Sequence, residues 1–199
     1  MKVRDSGMPE EDYCESLVDV ELTIERLGIG SYTDVAELGC GYGTFSIPIA
    51  KVIRGTLHCF DIDPFMVERT CMRAKGLPVR VELRDVLESG FGIKADAVVL
   101  FNILHCENPT RLLILAADAA PSLLVTHWQS KQTPRGPSHE IRPTPTQISK
   151  WANDCGLEVC DQFELPPWHF GMVLRNPSKV GNQVSSIDIR QRSALKIGQ

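Results

Sequence analysis

A short apolar strand that runs into alternate glycines, "VAELGCGYG" at residues 35–43, constrains this chain more than any other stretch. Gly39, Gly41 and Gly43 strip side chains from one turn. Glycine there admits positive φ and lets a bound group approach the main chain. The helix expected next, "FSIPIAKVI", presents free N–H groups at its start, and Pro48 is tolerated only because it lies in the first turn. A glycine turn alone is also the mark of a tight strand–helix connection, so the rest of the chain must decide its meaning.

The rest alternates between two periods. Strands are predicted at "TDVAEL", "TLHCFDI", "VRVELRD", "ADAVVLFNIL" and "SLLVTHW", with helices between them. Asp63-Pro64 and Asn108-Pro109 are helix starts, a cap followed by proline at the first helical position. Thr144, Pro145 and Gln147 form a capping-box start for another helix, closed by Gly156. Tyr13, Leu17, Val20, Ile24 and Leu27 make one helical stripe near the N-terminus. Two closing strands, "LEVCDQFEL" and "HFGMVLRN", are joined too tightly for a parallel crossover, so one must run antiparallel. The fold class that follows is α/β with a mostly parallel sheet and right-handed crossovers. Residues 129–145 hold four prolines and three basic residues with no period, and read as a long functional loop.

With 199 residues and 43% hydrophobic content, the chain has enough material for one ordinary core. A net charge of -4 speaks against a general nucleic-acid binder. The N-terminus lacks the apolar run of a signal peptide, and no apolar stretch is long enough for a bilayer span. A soluble, cytoplasmic protein is the expectation. Seven scattered cysteines, none in a C-x-x-C pair, suit reduced thiols and argue against structural zinc. No metal site is expected.

An acid decides between the ligands that a glycine turn can serve. Asp61 ends the second strand about twenty residues after the glycines, where a carboxylate can accept both hydroxyls of a ribose. A dinucleotide dehydrogenase would share this feature. Its pattern, however, wants a small residue where this chain has Thr44, to bring a pyrophosphate onto the helix N-terminus.

"VAELGCGYGTFSIPIA", "LHCFDID", "VELRDV" and "ADAVVLFNILH", in that order, resemble the class I S-adenosylmethionine-dependent methyltransferases. The resemblance implies a three-layer, Rossmann-like sandwich whose seven-stranded sheet has one antiparallel strand near the C-terminus. It implies S-adenosylmethionine as cofactor and S-adenosylhomocysteine as product. Glu37, Gly39, Cys40, Gly41 and Gly43 would cradle the methionine part. Asp61 would hold the ribose and Ile62 would pack on adenine. Asp85 would accept the adenine amino group, with Val86 beside it, and Phe101 and Asn102 would line the floor near the sulfonium. Residues 1–30 would form a helical lid, 31–176 the methyltransferase domain, and 177–199 a polar, flexible tail.

"FNILHCEN" is not the [DN]-P-P-[YFW] motif of enzymes that methylate amino groups of nucleic acids and glutamine. A small-molecule acceptor, methylated on oxygen or nitrogen, is the leading expectation. A hydroxyl or ammonium acceptor needs a base, and histidine has a suitable pKa unaided. His127, at the end of the fifth strand, is the first candidate, and His105, after the fourth, is the second. Trp128 and Tyr13 are expected against the acceptor. Arg135 and Arg142, on the proline-rich loop, suggest an anionic acceptor. Two other readings stay open: a protein that binds the cofactor without turnover, and an RNA or protein methyltransferase that works with a partner. The second draws on the basic residues Lys179, Arg190, Arg192 and Lys196. The oligomeric state has no signature in the residues.

Overall fold

The computed structural model describes residue 11 and residues 16–182. Seven strands form one sheet: β1 (Val35–Leu38), β2 (Leu57–Asp61), β3 (Val79–Leu83), β4 (Ala97–Phe101), β5 (Ser122–Trp128), β6 (Glu158–Leu165) and β7 (His169–Arg175). Their order is β3-β2-β1-β4-β5-β7-β6. The first five strands pair in parallel. β7 lies between β5 and β6 and runs antiparallel to both. The chain steps outward from β1 to β3 and then returns to place β4 on the other side of β1. That reversal makes the carboxyl ends of β1 and β4 the switch point, where open α/β sheets bind ligands.

Among the described residues, six helices accompany the strands: α1 (Val20–Leu27), α2 (Ser46–Val52), α3 (Pro64–Arg73), α4 (Val86–Ser89), α5 (Pro109–Ala119) and α6 (Pro145–Asp154). Strand alternation divides the core in two. Val35, Cys59, Val99 and Leu124 pack with Ile24 and Leu27 of α1 and Ile49 of α2. Ala36, Phe60, Leu100 and Val125 pack on the other face with Val86 of α4, Leu112 of α5 and Ile148 of α6. The three-layer architecture and the antiparallel strand near the C-terminus are as expected.

The start signals are real bonds. Asp63 accepts from the Phe65 N–H at 2.9 Å, and Asn108 from the Arg111 N–H at 3.0 Å. Thr144 and Gln147 complete a reciprocal capping box at 3.2 and 2.8 Å. Each satisfies N–H groups that the first helical turn leaves unpaired.

The N-terminal stripe differs from expectation. Leu17 to Asp19 are not helical, and α1 begins afresh at Val20 because Asp19 caps it, accepting from the Leu22 N–H at 2.9 Å. Tyr13 lies outside the described residues, as do Arg190, Arg192 and Lys196. β3 stops at Leu83, and Asp85 starts the short helix α4 by accepting from Leu87. Among the described residues no helix is long and apolar enough to cross a membrane.

The 129–145 segment is not structureless. A 3-10 turn spans His139–Ile141, and Arg142, only 6% exposed, organises the remainder. Its Nε–H donates to the Pro137 carbonyl at 2.8 Å. One terminal nitrogen donates to the carbonyls of Gln129 and Lys131, and the other to Thr133 Oγ1 and the Arg135 carbonyl. All five guanidinium donors are thereby satisfied inside the loop.

Candidate active site

A cavity of about 580 Å³ opens at the switch point. One part is built from the glycine turn and the end of β2. Gly39, Gly41 and Gly43 have φ of 74°, 53° and 82°. This left-handed backbone suits glycine and turns the chain back under the cavity. The Gly41 N–H donates to Asp61 Oδ2 at 3.0 Å, while the Asp63 N–H donates to Oδ1 at 3.0 Å. Thr70 Oγ1 of α3 donates to the Gly41 carbonyl at 2.7 Å, and Arg73 to the Tyr42 carbonyl at 3.0 Å. The turn is therefore held from β2 and α3 together.

Glu37 anchors the turn from below. It is 2% exposed and accepts from Ser46 Oγ at 2.5 Å, with Cys59 Sγ at 3.5 Å. Burial pushes its carboxyl up to about 7, against the opposing pull of the Ser46 hydroxyl.

The other part lies where β4 and β5 end and β7 begins. Phe45 and Phe101 meet with ring centroids 4.6 Å apart. Asn102 follows with φ 53°, a strained conformation of the kind found at functional positions. Its Nδ2 lies 3.4 Å from His169 Nε2. The Trp128 ring packs on His169 at 4.2 Å. His105 Nδ1 lies 3.3 Å from His127 Nε2, and His127 Nδ1 lies 3.4 Å from the Trp128 carbonyl. His127 is 0% exposed. Burial, with His105, His169 and Arg142 nearby, depresses its pKa to about 3. Burial and Arg142 bring His169 to about 4 and lower His105 in the same direction. All three rings are neutral at physiological pH. Among the described residues, no cluster of histidine, cysteine and acid is suited to a metal ion.

Residues 35–120 match the family model described as "Methyltransferase domain". This segment, under half of the chain, is thus similar to a methyltransferase domain. Solved methyltransferase structures share the fold over about four-fifths of the chain. A SAM-dependent methyltransferase from Aquifex aeolicus superposes with a TM-score of 0.72 at 21% identity, over 83% of this chain and 93% of that one. The N-methyltransferase NodS from Bradyrhizobium japonicum WM9 gives 0.64 at 18% identity, over 78% and 93%. Magnesium protoporphyrin IX methyltransferase from Synechocystis PCC 6803, solved with bound SAM, gives 0.60 at 18%, over 78% and 75%. No curated protein sequence matches the chain.

The cavity suits S-adenosylmethionine, the ligand bound in the Synechocystis structure. Small-molecule sites occupy roughly 300–1,000 Å³. Three carboxyl groups, Glu37, Asp61 and Asp63, line this one, and no lysine or arginine does among the described residues. That charge set favours a ligand that carries an ammonium and a sulfonium. It disfavours a pyrophosphate. Asp61, 9% exposed, is preoriented by two backbone N–H groups.

The cavity brings together Glu37, Gly39, Cys40, Gly41, Asp61 and Ile62 with Phe101, Asn102, His105 and Trp128. It leaves out Gly43, Asp85, Val86, His127, Arg135 and Arg142. All of these exclusions but that of Arg135 have a visible cause. A Cβ on Gly43 would face Thr70 Oγ1 at 3.2 Å, so this glycine serves the contact with α3. Asp85 caps α4, and Val86 is wholly buried in the core. Arg142 has its donors occupied by its own loop. His127 does not meet the acceptor because a strand alternates: it packs on the face of Phe170 while Trp128 takes the cavity side. With both nitrogens engaged in the core, His127 is not the base.

Sequence reasoning missed several wall residues. Phe45, Met66, Ile103, Gly136 and Pro137 all line the cavity. His169 opens β7, and nothing in the sequence pairs it with Trp128.

Proposed function

We propose that this methyltransferase moves a methyl group from S-adenosylmethionine to the hydroxyl of a small, largely apolar acceptor, with His105 receiving the hydroxyl proton. When bound, the cofactor supplies an electrophilic methyl on a cationic sulfur. Asp61 would hold its ribose, Ile62 would pack on its adenine, and the turn from Glu37 to Gly41 would cradle its methionine part. Phe101 and Asn102 would form the floor between cofactor and acceptor. Leu17 and Val18, just ahead of α1, line the same cavity, which supports a covering role for the N-terminal segment. No adenine contact is proposed for Asp85 or Val86.

One observation carries the acceptor reading. Among the described residues, the cavity wall beyond Phe101 and Asn102 consists of Ile103, His105, Trp128, Gly136, Pro137 and His169, without a carboxylate or a cation. An ammonium acceptor would find no counter-charge there, and an anionic one would find no free guanidinium. A neutral hydroxyl fits, and it needs a base. Two imidazoles line that wall: His169, whose spare Nδ1 is buried, and His105, whose pKa burial lowers and which is part-exposed with a ring nitrogen to spare, so His105 is the candidate base.

The test begins with calorimetric titration of S-adenosylmethionine. Methyl transfer to a panel of neutral phenols and alcohols, amines, and bulk RNA and protein then follows. Transfer to hydroxyl compounds, reduced about 10²–10⁴-fold in His105→Ala with cofactor affinity retained, is expected. Transfer to amines or macromolecules alone, or binding without transfer to any of them, would overturn the reading.

A further inference from the structure

Resting on His105 as the base, we infer that His127 is a positioning residue: it fixes the tautomer of His105 so that Nε2 is the nitrogen left bare to take the proton. The inference follows from which atoms can donate. A carbonyl oxygen only accepts, so the 3.4 Å contact from His127 Nδ1 to the Trp128 carbonyl requires the proton on Nδ1. A neutral His127 then has a bare Nε2. That nitrogen, 3.3 Å from His105 Nδ1, can only accept, and so His105 carries its proton on Nδ1. Its Nε2 has no hydrogen-bond partner among the described residues, and His105 lines the cavity. The reverse arrangement would set the Nδ1 lone pair of His127 against the lone pairs of the Trp128 carbonyl.

The setting keeps this chain of bonds in one state. His127 is fully buried on β5, with Phe170 of β7 against its ring at 6.4 Å between centroids. The titratable and charged groups acting on the two rings are each other, His169 of β7 and Arg142 of the loop. None is a carboxylate. A carboxylate partner would favour the imidazolium form of His105 and enlarge the fraction already protonated. A neutral imidazole orients the ring equally well and leaves it unprotonated. In the reaction the acceptor O–H bond breaks, the proton forms a bond to His105 Nε2, and the oxygen lone pair is freed for the methyl carbon. The Nδ1 proton stays between the two rings.

Long-range proton–nitrogen NMR of the whole chain reads the tautomer directly, with His105 assigned by its loss in His105→Asn. The wild type should show His105 protonated on Nδ1 and bare on Nε2. His127→Phe should release it to a mixture, with kcat down about 10–100-fold and cofactor affinity unchanged, the scale on which an orienting partner acts. His127→Gln, whose amide oxygen can accept, should restore both the tautomer and most of the rate. A wild-type His105 protonated on Nε2 would overturn the inference even if no variant folded. So would a folded His127→Phe with the wild-type tautomer. If His105 is not the base, His105→Ala retains turnover whatever the tautomer, so the two failures are told apart.

Discussion

The backbone N–H of Gly41 donates to Asp61 Oδ2 at 3.0 Å, so the glycine turn after β1 and the acid that ends β2 are one structure. The carboxylate has two duties: it holds the turn and it faces the cavity. Asp61→Ala should weaken S-adenosylmethionine binding by roughly 2–4 kcal/mol through the loss of charge-assisted hydrogen bonds. Asp61→Asn keeps one acceptor oxygen and should fall between. Calorimetry on the folded variants checks this, and an unchanged affinity in both would remove Asp61 from the ribose.

Arg142 should matter to the loop and not to the cofactor. Lysine offers three donors on a compact head and cannot reach five acceptors arranged around a planar fork. Arg142→Lys should therefore speed amide hydrogen exchange across residues 129–141 and lower the Tm. About 1–3 kcal/mol is the usual loss when buried carbonyls are left unpaired. Cofactor affinity should stay within twofold. Exchange at the wild-type rate would mean that the prolines alone hold the segment.

Glu37 gives stability a pH dependence of unusual sign. Its folded pKa, about 7, lies above the ordinary 4.5, so the folded chain keeps this proton where the unfolded chain has lost it. Stability falls with rising pH wherever the native state binds more protons. The fall should run from about pH 4.5 to about 7 and then level off, amounting to roughly 3 kcal/mol at most. Glu37→Gln retains an acceptor for Ser46 and has nothing to ionise. Chemical denaturation of both chains at pH 5 and pH 8 is the check: the variant should gain on the wild type at the higher pH, and parallel curves would rule the effect out.

Most of the fold was legible because its signals are local. Each strand carries its own apolar run, and Asp63, Asn108 and Thr144 cap helices with atoms two or three residues away. The position of β7 between β5 and β6 was not legible, since the tight connection requires one reversal without saying which strand meets β5. The site divides in the same way. Glu37, Gly41 and Asp61 stand at strand ends whose place the α/β order fixes. His127 and Trp128 were both assigned to the acceptor, although neighbours in a strand face opposite ways. The parity was available in Leu123, Val125 and His127, which share a face. Arg142 was ambiguous in principle: an arginine among prolines can meet a ligand or the carbonyls of its own loop, and only the closed path of the chain decides.

Gly136 offers a test of the proposed division of the cavity between acceptor and cofactor. It adopts φ of 102°, and a Cβ there would meet the Trp128 ring at 2.9 Å and an Arg142 terminal nitrogen at 3.2 Å. Trp128 is fixed on its other contacts by His169 at 4.2 Å and by the Arg142 guanidinium, 5.3 Å from its ring centroid. The indole therefore cannot yield without moving the wall that faces the acceptor. Gly136→Ala should raise the KM for the acceptor more than it lowers kcat, because the substitution shifts a binding wall and not the base. The Kd for S-adenosylmethionine should be unchanged, since the glycine turn, Asp61 and α3 lie on different elements. Equal losses for acceptor and cofactor would show that Trp128 serves both ligands and that the division of the cavity is wrong.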